Sequence, residues 1–110
     1  MKMPNADSAV IAPEKLRDYL LNVDHRRGGP KARLLHSFGY RRDDWARLER
    51  DVREQHLGQE VAGVAAGEYG IRYDIVAPIK TPDGRQLVVR TIWQIDTGRA
   101  SPRLITMIPE

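Results

Sequence analysis

Cysteine is absent from the 110 residues, which excludes a disulfide framework, zinc–thiolate and iron–sulfur sites, and any thiol nucleophile. Long apolar runs are also missing: no window reaches the roughly 18 consecutive apolar residues that a membrane helix requires. Met1 to Val10 has no apolar h-region of a secretory signal, so the expected location is cytoplasmic. There is no Walker loop, dinucleotide glycine fingerprint, nucleophile elbow or HExxH, and no cofactor is expected. His25, His36 and His56 have no mutual spacing characteristic of a metal site, so no metal is expected either. Acidic charge, finally, is missing from one long stretch. Arg26 to Arg42 contains Arg26, Arg27, Lys31, Arg33, Arg41 and Arg42 and not one Asp or Glu.

That stretch alone carries +6, while the chain as a whole carries only +3, so the remainder sums to −3 and the molecule is strongly polarised. Arginine supplies fourteen of the eighteen basic residues. Its planar fork suits bidentate contact with phosphate better than an ammonium does. Phosphate or nucleic acid is therefore one candidate partner, and an acidic protein surface is the other. The chain is 41% apolar and 30% charged, enough to bury a core under a soluble surface, and its length fits a single domain over residues 1–110.

Three regions follow in order. Residues 1–12 show no sustained period and read as an extended lead-in. Residues 13–57 are helical. Pro13 suits a first helical turn, and Leu16 and Leu20 give a short amphipathic helix to about Leu21. The segment NVDHRRGGP from Asn22 to Pro30 must be a loop presenting His25, Arg26 and Arg27. Lys31 then stands at the start of a second helix, stopped by Gly39, where its charge beside free backbone N–H groups suggests half of an anion site. Asp43 reads as the cap of a third helix, in which Trp45, Leu48, Val52 and His56 form one stripe, and Asp43–Arg47 and Glu49–Arg53 are spaced to pair. Residues 59–110 change to strand patterning: Glu60 to Ala66, Arg72 to Ile79, Gln86 to Asp96 and Leu104 to Ile108, with Lys80 to Arg85 as a tight hairpin turn. The expected fold class is α+β, with three N-terminal helices packed on a four-stranded antiparallel β-meander.

Two residues stand out for chemistry. His25 lies in a glycine-rich loop among arginines, a setting that favours the neutral imidazole a general base requires. Arg90 interrupts an otherwise apolar strand and needs a partner. Asp74 or Glu68 would satisfy it structurally, and a substrate phosphate on the open side of the sheet would satisfy it functionally. Thr91, Arg103 and Thr106 lie on nearby strands and fit the same cleft. Tyr69 offers a stacking surface, whereas core packing suits Tyr73 better.

The segments MPNADSAVIAPEKLRDYLLN, HRRGGPKARLL with FGY, EYGIRYDIVAPIKTPDGR and VVRTIWQIDTGRASPRLITM cover nearly the whole chain. Together they resemble an uncharacterised family of small bacterial domains, classed as a domain of unknown function, that stand alone or form the C-terminal payload of polymorphic toxins or phage-associated proteins. Tyr19, Asn22, His25, Gly28, Lys31, Ala32, Tyr69, Gly70, Tyr73, Arg90, Trp93, Pro102, Leu104 and Thr106 occupy the family's motif positions. Arg26-Arg27 stands where a proline-containing dipeptide is frequent. The order of helices and strands is also similar to the barnase, EndoU, colicin and RelE-like ribonuclease superfamily, a likeness of fold alone. That resemblance implies metal-independent cleavage of RNA, with His25 as base or acid, Lys31 and Arg90 stabilising phosphoryl charge, and Thr106 or Tyr69 positioning phosphate or ribose. Arg26, Arg27, Arg33, Tyr69 and Arg103 would bind the nucleic acid, and a small acidic antitoxin or immunity protein would be the inhibitory partner. A non-catalytic binding module, docking nucleic acid or an acidic protein, is the competing expectation, and an antitoxin or immunity partner is a third that the basic surface makes less attractive.

Overall fold

The computed structural model describes all residues, Met1–Glu110. Helix α1 begins as Pro13–Lys15 and continues as a wider π-type segment over Leu16–Leu20; α2 is Gly29–Ser37; α3 is Trp45–Asp51 and runs on as a second π-type segment, Val52–His56. Strands β1 (Val61–Gly67), β2 (Gly70–Lys80), β3 (Gln86–Asp96) and β4 (Arg103–Pro109) form one antiparallel sheet in the order β1-β2-β3-β4. The class is therefore α+β with a four-stranded antiparallel sheet.

Alternation decides which sheet face is buried. Tyr73, Ile75, Ala77 and Ile79 on β2 stand opposite Trp93, Thr91, Val89 and Leu87 on β3. All eight are buried, so each cross-strand pair closes part of the same apolar face. Against it pack Leu16, Leu20 and Leu21 from the first helical region, Leu35 from α2, and Leu48 and Val52 from α3. Both π-type segments end on bonds that span five residues, Leu21 N–H to Leu16 O and Leu57 N–H to Val52 O, each 2.8 Å. A turn so widened is rare and is frequent at functional positions. Tyr19 sits in one, and His56 in the other.

The expectation of three N-terminal α-helices needs correction. The chain reaches the sheet before it forms α1, with one 3-10 turn, Ala6–Ser8, between the two contacts: Lys2 bridges Glu60, and Val10 bridges Arg103. Val10 donates to Pro102 O at 2.8 Å and accepts from Leu104 N–H at 3.0 Å. Met3, Ala9 and Ile11 are buried in the core, so the lead-in is part of the fold. Its period was invisible because a single bridge at each end, rather than a continuous ladder, holds it. The third helix is corrected too. Asp43 falls in a short turn, Arg42–Asp44, and the cap position is Asp44, which makes no side-chain cap bond. Arg47 pairs with Asp51 at 3.1 Å instead of Asp43, while the Glu49–Arg53 pair forms at 2.9 Å. Gly39 does stop the second helix, at φ 102°, a backbone conformation that side chains with a Cβ rarely adopt.

Candidate functional site

A cavity of about 650 Å³ opens where α1, the loop into α2, and β4 meet. Glu14, Lys15, Asp18 and Tyr19 line it from α1, His25 and Arg27 from the loop, Lys31 from the first turn of α2, and Thr106 from β4. Local sequence explains the convergence. In α1 the apolar stripe of Leu16 and Leu20 faces the core, which leaves Tyr19 half-buried on the flank. Gly28 lets the loop close onto it, since a Cβ there would stand 2.7 Å from Tyr19 O and 2.8 Å from the Tyr19 ring. On β4 the pairing shifts between Ile92–Thr106 and Trp93–Leu104. Ile105 is the extra residue of that bulge, and bulges re-aim the side chains beside them.

Lys31 ties the site together. Its Nζ donates to Tyr19 Oη at 2.9 Å and to Thr106 Oγ1 at 3.1 Å, and the two hydroxyls are 3.3 Å apart. The Lys31 and Lys15 ammonium groups lie 5.2 and 5.8 Å from the Tyr19 ring centroid. Burial acts to raise the Tyr19 phenol, but the hydrogen bonds from Lys31 and Thr106 and the charges of Lys31 and Lys15 outweigh it, so the phenol is held below the ordinary tyrosine value. The His25 ring meets Tyr19 edge-on, with centroids 4.8 Å apart at 76°. His25 Nδ1 accepts two backbone N–H groups, from Arg27 at 3.1 Å and Gly28 at 2.9 Å. The anion site expected at the helix start is thus altered: the imidazole itself takes those donors, and Lys31 turns inward to the hydroxyls.

The six cations of the basic stretch divide. Arg27 and Lys31 line the cavity, and neither forms a salt bridge; Arg26 and Arg33 are exposed and unpaired outside its lining. Arg41 and Arg42 line a neighbouring groove with Arg17, His36 and Asp18. Arg42 donates to Arg17 O at 2.7 Å and to Asp18 at 3.2 Å. Arg17 first, and Arg42 with it, hold the Asp18 carboxyl below its usual range.

Arg90 does not line the cavity. It lies on the sheet face opposite the helices, where Asp74 holds its Nη1 and Glu110 accepts from Nε at 3.0 Å. The structural partner considered above is therefore present, and the terminal residue adds a second. Arg103 pairs with Asp96 at 2.7 Å and belongs to another groove. Tyr69 is exposed at the β1–β2 turn beside Arg72 and Gln94. His25, Arg27, Lys31 and Thr106 are thus brought together, and Arg90, Arg103 and Tyr69 stand apart. Tyr19 and Lys15 are the residues that sequence reasoning left out of the site. Tyr19 had carried a signal, both as a motif position of the resemblance and as an aromatic off the leucine stripe.

The fold is shared with a chain of a contact-dependent growth inhibition toxin–immunity protein complex from Klebsiella pneumoniae 342. The TM-score is 0.69 at 15% identity, over 92% of this chain and 99% of that one. At that identity the likeness is one of fold. The family follows from the sequence: residues 2–110 match the domain of unknown function DUF6883, and the chain belongs to it. No curated protein matches. No helix is long and apolar enough to cross a membrane.

Proposed function

We propose that the chain is a metal-independent ribonuclease of toxin type, cleaving RNA by attack of a ribose 2′-hydroxyl on the adjacent phosphate. The observation that carries this reading is the Lys31 ammonium, bonded to two hydroxyls in an open cavity and to no carboxylate. A cation so placed stabilises the charge that builds on phosphoryl oxygens during in-line displacement. Arg27 adds a guanidinium at the mouth, and Lys15 a second ammonium on α1. RNA brings its own nucleophile, so the protein needs only to orient the chain, stabilise charge and move protons. Arg26 and Arg33 extend the positive surface beyond the cavity for flanking phosphates. Arg90 is left out of this chemistry because its charge is already matched.

An inhibitory partner fits the same surface. A small acidic protein covering Arg26, Arg27 and the cavity would block RNA by charge complementarity, and the fold is one found within a toxin–immunity protein complex. The deciding experiment is incubation of the purified chain with RNA in EDTA. Fragments ending in 2′,3′-cyclic phosphate, lost in Lys31→Ala, are the expected result. RNA that is bound but left intact by well-folded protein would support the non-catalytic binding module instead.

A further inference from the structure

Resting on the ribonuclease reading, we propose that Tyr19 accepts the 2′-hydroxyl proton and that His25 donates a hydrogen bond from Nε2–H to the phosphate without transferring its proton. The bonds at His25 decide its part. A ring nitrogen that accepts two backbone N–H groups carries no hydrogen, so the His25 proton is on Nε2. A protonated Nε2 cannot take the 2′-hydroxyl hydrogen. A neutral imidazole at a helix start is still an effective electrophile through its N–H.

The base must then come from the other lining groups. Asp18 is committed to Arg17 and Arg42. Glu14 is exposed on the first turn of α1 and bonds neither Lys31 nor Thr106. Tyr19 Oη is the remaining acceptor, and it is already fixed by donors on α2 and β4. Burial works against its ionisation, and Lys31, Thr106 and Lys15 more than offset that. The groups facing it are Glu14, Lys15 and Asp18 from its own helix, His25 and Arg27 from the loop, and Lys31 from α2; β4 contributes only the neutral Thr106. In the step, the Tyr19 phenolate takes the 2′-hydroxyl proton, O2′ bonds to phosphorus, and the P–O5′ bond breaks. The departing oxygen takes a proton from water, and the hydroxide so formed removes the proton from the phenol, so atoms and charge balance.

The test follows cleavage of a single-stranded oligoribonucleotide in EDTA from about pH 6 to about pH 10, for wild type, Tyr19→Phe and His25→Gln. Wild-type rate rises with pH. Tyr19→Phe loses the rise and about 10²- to 10⁴-fold in rate, while His25→Gln is slower but keeps the shape of the profile. A Tyr19→Phe enzyme that keeps the rise, or a His25→Gln enzyme that loses it, overturns the assignment and leaves the ribonuclease reading standing. Inactive wild type overturns both. Nitrogen-15 NMR supplies a readout apart from cleavage: His25 is expected with hydrogen on Nε2 alone, and a hydrogen on Nδ1 sinks the proposal whatever the rates.

Discussion

Around the α1–α2 loop, Arg27 and Lys31 share a cavity with Lys15 and make no salt bridge, whereas three arginines at the sheet and its β2–β3 turn are each matched to a carboxylate. Arg90 has Asp74 and Glu110, Arg85 has Asp83, and Arg103 has Asp96. Arg103, and Gln94 with it, hold the Asp96 carboxyl down to about 2. Several polar groups in the helix–sheet body are matched as well. Thr91 Oγ1 lies 2.7 Å from both Trp93 Nε1 and His56 Nε2, and Tyr40 donates to Asp51 at 2.7 Å. Position along the strand or helix therefore does not tell a free charge from a matched one. What separates the two regions is whether a carboxylate was provided, and cations left without one are free to meet an anion from outside.

The sharpest way to break this contrast is to remove one cation from each side. Lys31→Met is expected to lower RNA cleavage by about 10²- to 10³-fold, the cost of losing one preorganised donor to a charged transition state. Arg90→Met should stay within roughly threefold of wild type, since surface changes away from the reacting groups act weakly. Initial rates on one oligoribonucleotide, with circular dichroism confirming the fold of each variant, decide the matter. Equal losses in both variants would show that Arg90 leaves its carboxylates when substrate binds.

Much of the sheet was legible because period-two alternation is a local signal: Leu87, Val89, Thr91 and Trp93 announce a buried face without knowledge of the partner strand. The third helix was legible for the same reason, down to His56 on its stripe. Half of the site was legible as well. His25 and Lys31 stood out by loop composition and helix punctuation, and both line the cavity. Arg90 was misleading as a site residue because a charge in an apolar strand signals only that a partner is required, and Asp74 is sixteen residues away on a neighbouring strand. Tyr19 was hidden by the reverse problem. Its meaning lies in contacts with Lys31 and Thr106, 12 and 87 residues distant, which no local pattern encodes. The β4 bulge beside Thr106 is likewise a property of strand pairing, not of any residue on it.

Smaller effects sharpen the structural half of the comparison. Tyr40→Phe removes the buried donor to Asp51 and leaves that carboxylate to Arg47 alone. A loss of about 1.5–3 kcal/mol in urea unfolding is expected for a hydrogen bond to a charged group. Cleavage should be unchanged at temperatures where the variant is folded. His56 gives a pH signature. It is fully buried, its Nδ1 makes no hydrogen bond, and burial holds it below the 6.5 of an unfolded histidine. The unfolded chain therefore binds the proton more readily than the folded one. The stability that His56 contributes is complete above about pH 6.5 and is lost as pH falls below that value toward the folded one. Urea midpoints taken through this window should fall for wild type and flatten in His56→Gln.

The smallest expected effect is the most telling for the sheet. Arg90 is 35% exposed, and its partners Asp74 and Glu110 are 29% and 39% exposed, so water screens much of their attraction. Arg90→Ala should cost little stability, and the loss should shrink in high salt. The two carboxylates it leaves behind are reachable by water and need no buried replacement. A much larger, salt-independent loss would mean that the three charges form a closed structural unit. A small loss joined to intact cleavage would instead show that Arg90 answers an apolar strand's need for a solvated face, and that the charge of the proposed phosphate site comes from the cavity's own cations.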